Sequence, residues 1–309
     1  MDWIRFTKGF LLSFVFVFIF GYMICSVQYN LGGFIKSQNN AVFAGSIADS
    51  PGNIVAKPVV KNILQLLPAP EINAESSISV ESNLSDADKV LFEKNIDTKL
   101  PIASLTKLMT AVIVLDNYNL LNNITIDQAA DSQEAMKQDI SFGSSIKIES
   151  LLDIMLIESS NKSAYALSEA MGEPAFVNLM NKKAEDIGLK NTFFADPTGL
   201  SDRNISTAND LSKLAEYILK NYPKIVEISG TRQLFVPGFG TIDNTDELLG
   251  EVPEAICSKT GFTPEAKGCL LLVLNNPKNN DYVINIILGA DERFSEMKKL
   301  INWSNITCN

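Results

Sequence analysis

The sequence predicts an α+β domain, with an antiparallel sheet assembled from both ends of the domain and helices in between. Three observations predict it. Strand-like runs occur at Ser77-Ile78-Ser79-Val80 and again from Ala255 onward. Helical periodicity fills the interval between them. One segment in that interval, Ser104 to Tyr118, is apolar nearly all round, which places it inside a domain. With 309 residues and 46% hydrophobic content, the chain has enough apolar surface for a substantial core.

The elements follow in order. Residues 1–8 form a short N-terminus carrying Arg5 and Lys8. Gly9 to Val27 is almost purely apolar, and nineteen helical residues span about 28 Å, close to the hydrocarbon thickness of a bilayer. The basic flank predicts that residues 1–8 stay in the cytoplasm and that the rest is exported. No small-x-small site follows the apolar run, which favours an uncleaved single-pass transmembrane anchor over a signal peptide. Residues 28–74 are rich in Asn, Ser, Pro, Gly and Ala and read as a spacer. The folded domain is expected over 75–309.

Within it, Ser77–Val80 and Lys89–Phe92 flank turn residues and predict a hairpin. Pro101 opens the buried helix. Ser144 to Ile148 alternates as a strand does. Helices are predicted over Ser150–Ile157, Lys162–Met171, Pro174–Ile187 and Thr207–Asn221. Ala255–Phe262 and Cys269–Leu274 form a second hairpin around Thr263-Pro264-Glu265. Val283–Leu288 adds a strand, and Ser295–Trp303 is a closing helix.

Composition narrows the chemistry. The chain contains no histidine, so a Ser-His-Asp triad and a Cys-His dyad are excluded, and a zinc peptidase is disfavoured. A base for nucleophilic catalysis must then be Lys, a carboxylate or Tyr. The net charge of −10 and the lack of a long basic run argue against a nucleic-acid partner. The four cysteines, Cys25, Cys257, Cys269 and Cys308, show no metal-ligand spacing. Cys257 and Cys269 flank the second hairpin. A cross-hairpin disulfide is one reading, and two small buried apolar groups is the better one.

Ser-x-x-Lys sets a hydroxyl and an amine one helical turn apart, so that a neutral lysine can take the serine proton. The pattern occurs four times: Ser104-Lys107, Ser144-Lys147, Ser159-Lys162 and Ser295-Lys298. Ser144 sits on an alternating strand, which sends Ser and Lys to opposite faces. Ser295 begins an amphipathic surface helix. Ser104 opens the buried helix, where a polar pair needs a reason, although plain helix capping would also explain it. Ser159-Ser160-Asn161 lies at a helix junction, where capping is again the simpler account. Lys259-Thr260-Gly261 lies on a strand and suits a carboxylate, unless Lys259 is an ordinary edge-strand charge.

In their order, Ser-x-x-Lys, Ser-x-Asn and Lys-Thr-Gly match the set found in penicillin-binding proteins and β-lactamases. The chain resembles the low-molecular-mass penicillin-binding proteins, the serine-type D-alanyl-D-alanine carboxypeptidases. The resemblance runs from about Glu75 to Trp303. It includes Leu100-Pro101-Ile102-Ala103-Ser104-Leu105-Thr106-Lys107, Glu158-Ser159-Ser160-Asn161, Asp196-Pro197-Thr198-Gly199-Leu200 and Lys259-Thr260-Gly261-Phe262-Thr263. It implies a β-lactamase/transpeptidase-like fold, with helices flanking the sheet and an inserted helical subdomain. It further implies that Ser104 is the acyl-enzyme nucleophile and Lys107 its base. Ser159 would relay a proton to the leaving D-alanine, and Asn161 would hold a substrate carbonyl. Lys259 and Thr260 would bind the terminal carboxylate or its β-lactam mimic, with Gly261 admitting the substrate backbone. The backbone N–H groups of Ser104 and Phe262 would form the oxyanion hole. The implied partners are D-Ala-D-Ala stem peptides of peptidoglycan and β-lactam inhibitors. No metal or organic cofactor is implied.

One departure from the family stands out: Lys162 follows Asn161 where relatives often have Asp, which would set an extra cation near the site. A D,D-endopeptidase, a β-lactamase or a non-catalytic peptidoglycan-binding protein are the alternatives on the same fold.

Overall fold

The computed structural model describes residues 68–85, 88–134, 140–276, 279 and 281–307. The expected N-terminus, the anchor at 9–27, most of the spacer at 28–74, Cys25 and Cys308 lie outside the described residues. Among the described residues no helix is long and apolar enough to cross a membrane.

Strands β1 (Ser76–Ser82) and β2 (Lys89–Lys94) form the first hairpin, and β3 (Leu100–Pro101) leads through a 3-10 turn (Ala103–Leu105) into α1 (Thr106–Asn117). Next come β4 (Asn123–Thr125), α2 (Gln128–Asp131), β5 (Ser145–Lys147), α3 (Ile148–Ile157), α4 (Asn161–Glu169) and α5 (Glu173–Asp186). They are followed by β6 (Ile205–Ser206), α6 (Ala208–Asn221), α7 (Pro223–Ser229), β7 (Gln233–Val236) and β8 (Gly240–Asp243). The chain closes with β9 (Ala255–Thr263), β10 (Lys267–Asn275), β11 (Tyr282–Ala290) and α8 (Arg293–Thr307).

The main sheet has the order β2-β1-β11-β10-β9 and is antiparallel throughout. The first hairpin therefore docks against the last strand, as the both-ends reading requires. Helix α8 covers one face with Met297, Leu300 and Ile301 against Leu270, Leu272 and Ile287. The opposite face carries Leu271, Val273, Ile284 and Ile286, which join the larger core beneath the other helices. Because both faces are covered, the serines of β1 do not face water: Ser76, Ser77 and Ser79 are buried, and Ser79 donates to Asn285 Oδ1 at 2.8 Å. Ile72 and Ala74 pack into the α8 side, so the packed region begins slightly before residue 75.

Helix α1 packs against α3, α4, α5 and α7 and is buried from Thr106 to Val114. This explains its lack of a polar face. Truncating one of its large apolar side chains to Ala is expected to cost about 2–5 kcal/mol.

Of the boundaries that differ from the sequence reading, two have a clear local cause. Helix α3 starts at Ile148 rather than Ser150, because Lys147 ends β5 in extended backbone and acts directly as the N-cap. The helix after Pro101 begins at Thr106, and Ser104 sits in the 3-10 turn before it.

Candidate active site

The turn that carries Ser104 is held in an uncommon shape. Ala103 has φ +46°, a left-handed conformation that costs a non-glycine residue strain and persists only where its surroundings enforce it. Two glycines do so. A Cβ on Gly199 would lie 2.1 Å from Ala103 O, and one on Gly261 would lie 3.1 Å from Ser104 N. The 199 loop and strand β9 thus close on the Ala103–Ser104 peptide from two directions; at 199 only glycine permits the approach, and at 261 a Cβ would crowd the peptide. Ile102 N–H donates to Asn204 O at 3.0 Å and fixes the turn from below.

Lys107, one turn along, is 0% exposed. Its Nζ donates to Ser104 Oγ at 2.9 Å, Asn161 Oδ1 at 2.7 Å and Thr198 O at 2.5 Å. Three acceptors match the three protons of an ammonium. Burial nevertheless disfavours the charge and brings its pKa down to about 7, with the Asp196 carboxylate partly opposing the shift. Near neutral pH, a large fraction of Lys107 is therefore a free amine beside the Ser104 hydroxyl.

Ser159 has φ +61° between α3 and α4. The capping alternative for it fails, because Ser160 caps α4 by accepting from Ser163 N at 3.1 Å. Ser159 Oγ is left to accept from Lys259 Nζ at 2.8 Å. Ser104 is likewise no cap: α1 has no side-chain cap bond.

Strand β9 forms the far wall. Lys259 is 1% exposed, which rules out a solvated edge-strand lysine. Its pKa is well below the ordinary value, first through burial, then through Lys107 and Arg293, with Asp246 opposing. Thr260 Oγ1 lies 2.6 Å from Thr245 Oγ1, and Phe262 points outward at 64% exposure. A cleft of about 520 Å³ opens over Ser104, Ser159, Asn161, Thr260, Gly261 and Phe262, and Leu200 is part of its rim. Lys107 and Lys259 are buried and reach its lining residues through their bonds to Ser104, Asn161 and Ser159. All eight residues singled out from the sequence therefore converge.

The other Ser-x-x-Lys pairs separate. Ser144 Oγ donates to Ser141 O, and Lys147 ends β5. Lys298 pairs with Glu251 at 2.6 Å. Lys162 turns away from the cleft to Asp131 Oδ1 at 2.7 Å and Ile140 O at 3.1 Å. This corrects the expectation of an extra cation at the site, since the charge is neutralised at α2. Cys257 and Cys269 are free thiols. Their register partners are Val273 and Gly261, so they never face each other, and burial pushes both up to about 11.

Sequence reasoning missed several contributors. The carbonyl of Thr198 has no sequence signature, yet Asp196 fixes it. Asp196 Oδ1 accepts from Thr198 N, Thr198 Oγ1 and Gly199 N, and Oδ2 accepts from Ser201 N and Asn204 Nδ2. The Asp-Pro-Thr-Gly string signals such a turn but not where it points. Thr245 and Arg293 also line the cleft. Arg293 Nη1 donates to Gly261 O at 3.3 Å, while its buried Nε has no partner.

A hydroxyl held by a buried, partly neutral lysine, across a cleft from a strand-borne lysine, defines the penicillin-recognising serine enzymes as a class. A family profile described as D-alanyl-D-alanine carboxypeptidase matches residues 65–292, and the chain belongs to that family. It is 34% identical to a D-alanyl-D-alanine endopeptidase of Pseudomonas aeruginosa over 246 residues, covering 75% of this chain and 77% of that one. It is 30% identical over 247 residues to the D-alanyl-D-alanine carboxypeptidase DacF of Bacillus subtilis, covering 75% and 62%. The cefotaxime-bound structure of penicillin-binding protein D2 from Listeria monocytogenes superposes with a TM-score of 0.69 at 26% identity, covering 77% of this chain and 99% of that one.

Proposed function

We propose that this serine-type D-Ala-D-Ala carboxypeptidase works through an acyl-enzyme on Ser104. Ser104 Oγ attacks the penultimate D-Ala carbonyl of a peptidoglycan stem peptide as its proton passes to Lys107 Nζ. The backbone N–H groups of Ser104 and Phe262 stabilise the oxyanion, a contribution of roughly 3 kcal/mol per donor in comparable sites. The C–N bond then breaks as the proton taken up by Lys107 is relayed through Ser159 to the departing D-alanine amine, which returns Lys107 to its free amine. Asn161 holds the substrate carbonyl, while Lys259 and Thr260 receive the terminal carboxylate. Water cleaves the ester with Lys107 again as base. The observation that carries this reading is the 2.9 Å contact between the Ser104 hydroxyl and a buried lysine brought down to about 7.

A penicillin is a β-lactam mimic of the same carboxylate-ended peptide, so the purified full-length chain should take a covalent label from a reporter penicillin. Ser104→Ala should abolish the label. Labelling that survives Ser104→Ala but disappears in Ser159→Ala overturns the assignment. D-Ala release from a pentapeptide separates the carboxypeptidase from a non-catalytic binder. The endopeptidase relatives favour a second reading, cleavage of cross-links, which hydrolysis of cross-linked muropeptides tests.

We also infer that Gly9 to Val27 anchors the chain in the cell membrane as a single span with the domain at 75–309 outside. The apolar run and its Arg5 and Lys8 flank support this reading. Retention of the full-length chain in carbonate-washed membranes, and its loss when residues 1–27 are removed, is the test.

A further inference from the structure

Lys259 and Thr260 are neighbours on β9 but leave it on opposite faces. The register partner of Lys259 is Leu271, in the core beneath the helices, and that of Thr260 is Leu270, in the cluster under α8. The lysine Nζ donates to Ser159 Oγ and to the backbone carbonyl of Thr260, not to its hydroxyl. Thr260 is 4% exposed, and the one partner of its hydroxyl among the described residues is Thr245 Oγ1, at 2.6 Å.

Thr245 is placed by bonds that leave its own hydroxyl unused. Its N–H donates to Ile157 O at 3.1 Å, the last residue of α3 and close in sequence to Ser159. The preceding residue is fixed as well: Asn244 N–H donates to Arg232 O at 2.8 Å, and its Nδ2 donates to Ser229 O at 3.1 Å and Thr231 O at 3.0 Å. Thr245 is half-buried and lines the same cleft as Thr260. Held by its backbone to the helix side, it thus offers its hydroxyl to the strand side.

The proton count of the pair sets what it can bind. Each hydroxyl has one proton to donate. One proton lies between the two oxygens, and one is left for the cleft. If Thr260 donated to Thr245, its own proton would be used, and it would meet a carboxylate with lone pairs alone. If Thr245 donates to Thr260, the Thr260 proton is free to meet an anion. A hydroxyl that accepts one bond also donates a stronger one, because the two bonds polarise each other.

We propose that Thr245 is a positioning residue for the carboxylate subsite: its hydroxyl donates to Thr260 Oγ1 and turns the Thr260 proton toward the terminal carboxylate of the substrate. The inference rests on the acyl-enzyme reading above.

The test is kcat/KM of the full-length chain on a peptide ending in D-Ala-D-Ala and on its C-terminally amidated analogue. Thr245→Val keeps the shape and removes the hydroxyl. It should lower kcat/KM on the free acid about tenfold and on the amide less than about twofold. Thr245→Ser restores the donor and should stay within about threefold of wild type on both. Thr260→Val removes the direct contact and should cost the free acid more, about thirtyfold, and adding Thr245→Val to it should cost nothing further. If Thr245→Val does not fold, Thr245→Ala carries the same expectation. Equal losses on acid and amide, or no rescue by Thr245→Ser, overturn the inference and leave Thr245 a structural residue. Additive losses in the double variant, or a larger loss in Thr245→Val than in Thr260→Val, overturn it in favour of direct contact between Thr245 and the substrate. A wild-type chain that hydrolyses neither peptide and takes no penicillin label removes the acyl-enzyme reading itself, and this inference with it.

Discussion

The helix side and the strand side of the cleft each bury a lysine, and each surrounds it differently. Lys107 rises from the core helix into three acceptors, one of them a carbonyl fixed by the Asp196 turn. Lys259 stands on an edge strand with two, the Ser159 hydroxyl and the Thr260 carbonyl. Burial acts on both. Asp196 partly restores charge to Lys107, whereas Lys259 is further depressed by Lys107 and Arg293. One residue type thus takes two roles, base and carboxylate receptor, through its neighbours. The two are linked: when Lys107 gives up its proton, its repulsion of Lys259 ends, so the neutral base favours the charged receptor.

The largest break in this comparison should come from Lys107→Ala, which removes the base and lowers acylation by about a thousandfold or more. In the wild type, acylation at low substrate should rise as pH climbs through about 7. Lys107 acts as its free amine, and its pKa is brought down to that point. A profile that stays flat from pH 5 to 9 would contradict the role. Below about pH 7 both folded and unfolded chains hold this proton. Above that, the unfolded chain holds it longer, so folding stability should also rise with pH until the ordinary lysine range.

Gly199→Ala comes next. Its φ of +86° and the 2.1 Å approach to Ala103 O force the nucleophile turn to shift. We expect a drop of about a hundredfold in acylation, since misplacing a reacting group by an ångström costs that much. Circular dichroism should still report a folded domain.

Lys259→Gln should separate the two sides. Peptides with a free terminal carboxylate should lose about a hundredfold in kcat/KM, and C-terminally amidated analogues much less. Equal losses would mean that Lys259 supports Ser159 rather than binding the carboxylate.

Lys162→Met should have the smallest effect. Its ion pair with Asp131 is partly exposed and is expected to contribute no more than about 1 kcal/mol. Thermal unfolding should shift slightly, and acylation should change less than about threefold.

Legibility in the sequence follows the physics of each element. The sheet built from both chain ends was readable because strand alternation and turn residues are local signals. The central helix was readable because an all-apolar helix has nowhere else to go. The start of that helix was misjudged by two residues, since Pro101 marks an opening without showing that a 3-10 turn intervenes. Lys162 was misjudged because sequence adjacency to Asn161 suggested proximity, whereas one step along a helix turns a side chain by about 100°. Thr198, Thr245 and Arg293 carried no readable signal, as each acts through a backbone atom, a neighbour or a distant strand.

By itself, the sequence determined the chemistry available: no imidazole, a helix-borne Ser-x-x-Lys, a junction Ser-x-Asn and a strand-borne Lys-Thr-Gly. Tertiary structure decided which of four identical spacings became a site, because a lysine loses its proton near neutral pH only where burial removes water from it. It also decided where the charges went, turning Lys162 to Asp131 and bringing the Asp196 turn against Lys107 through the Thr198 carbonyl. Such placement depends on contacts between residues far apart in the chain, which no local pattern encodes.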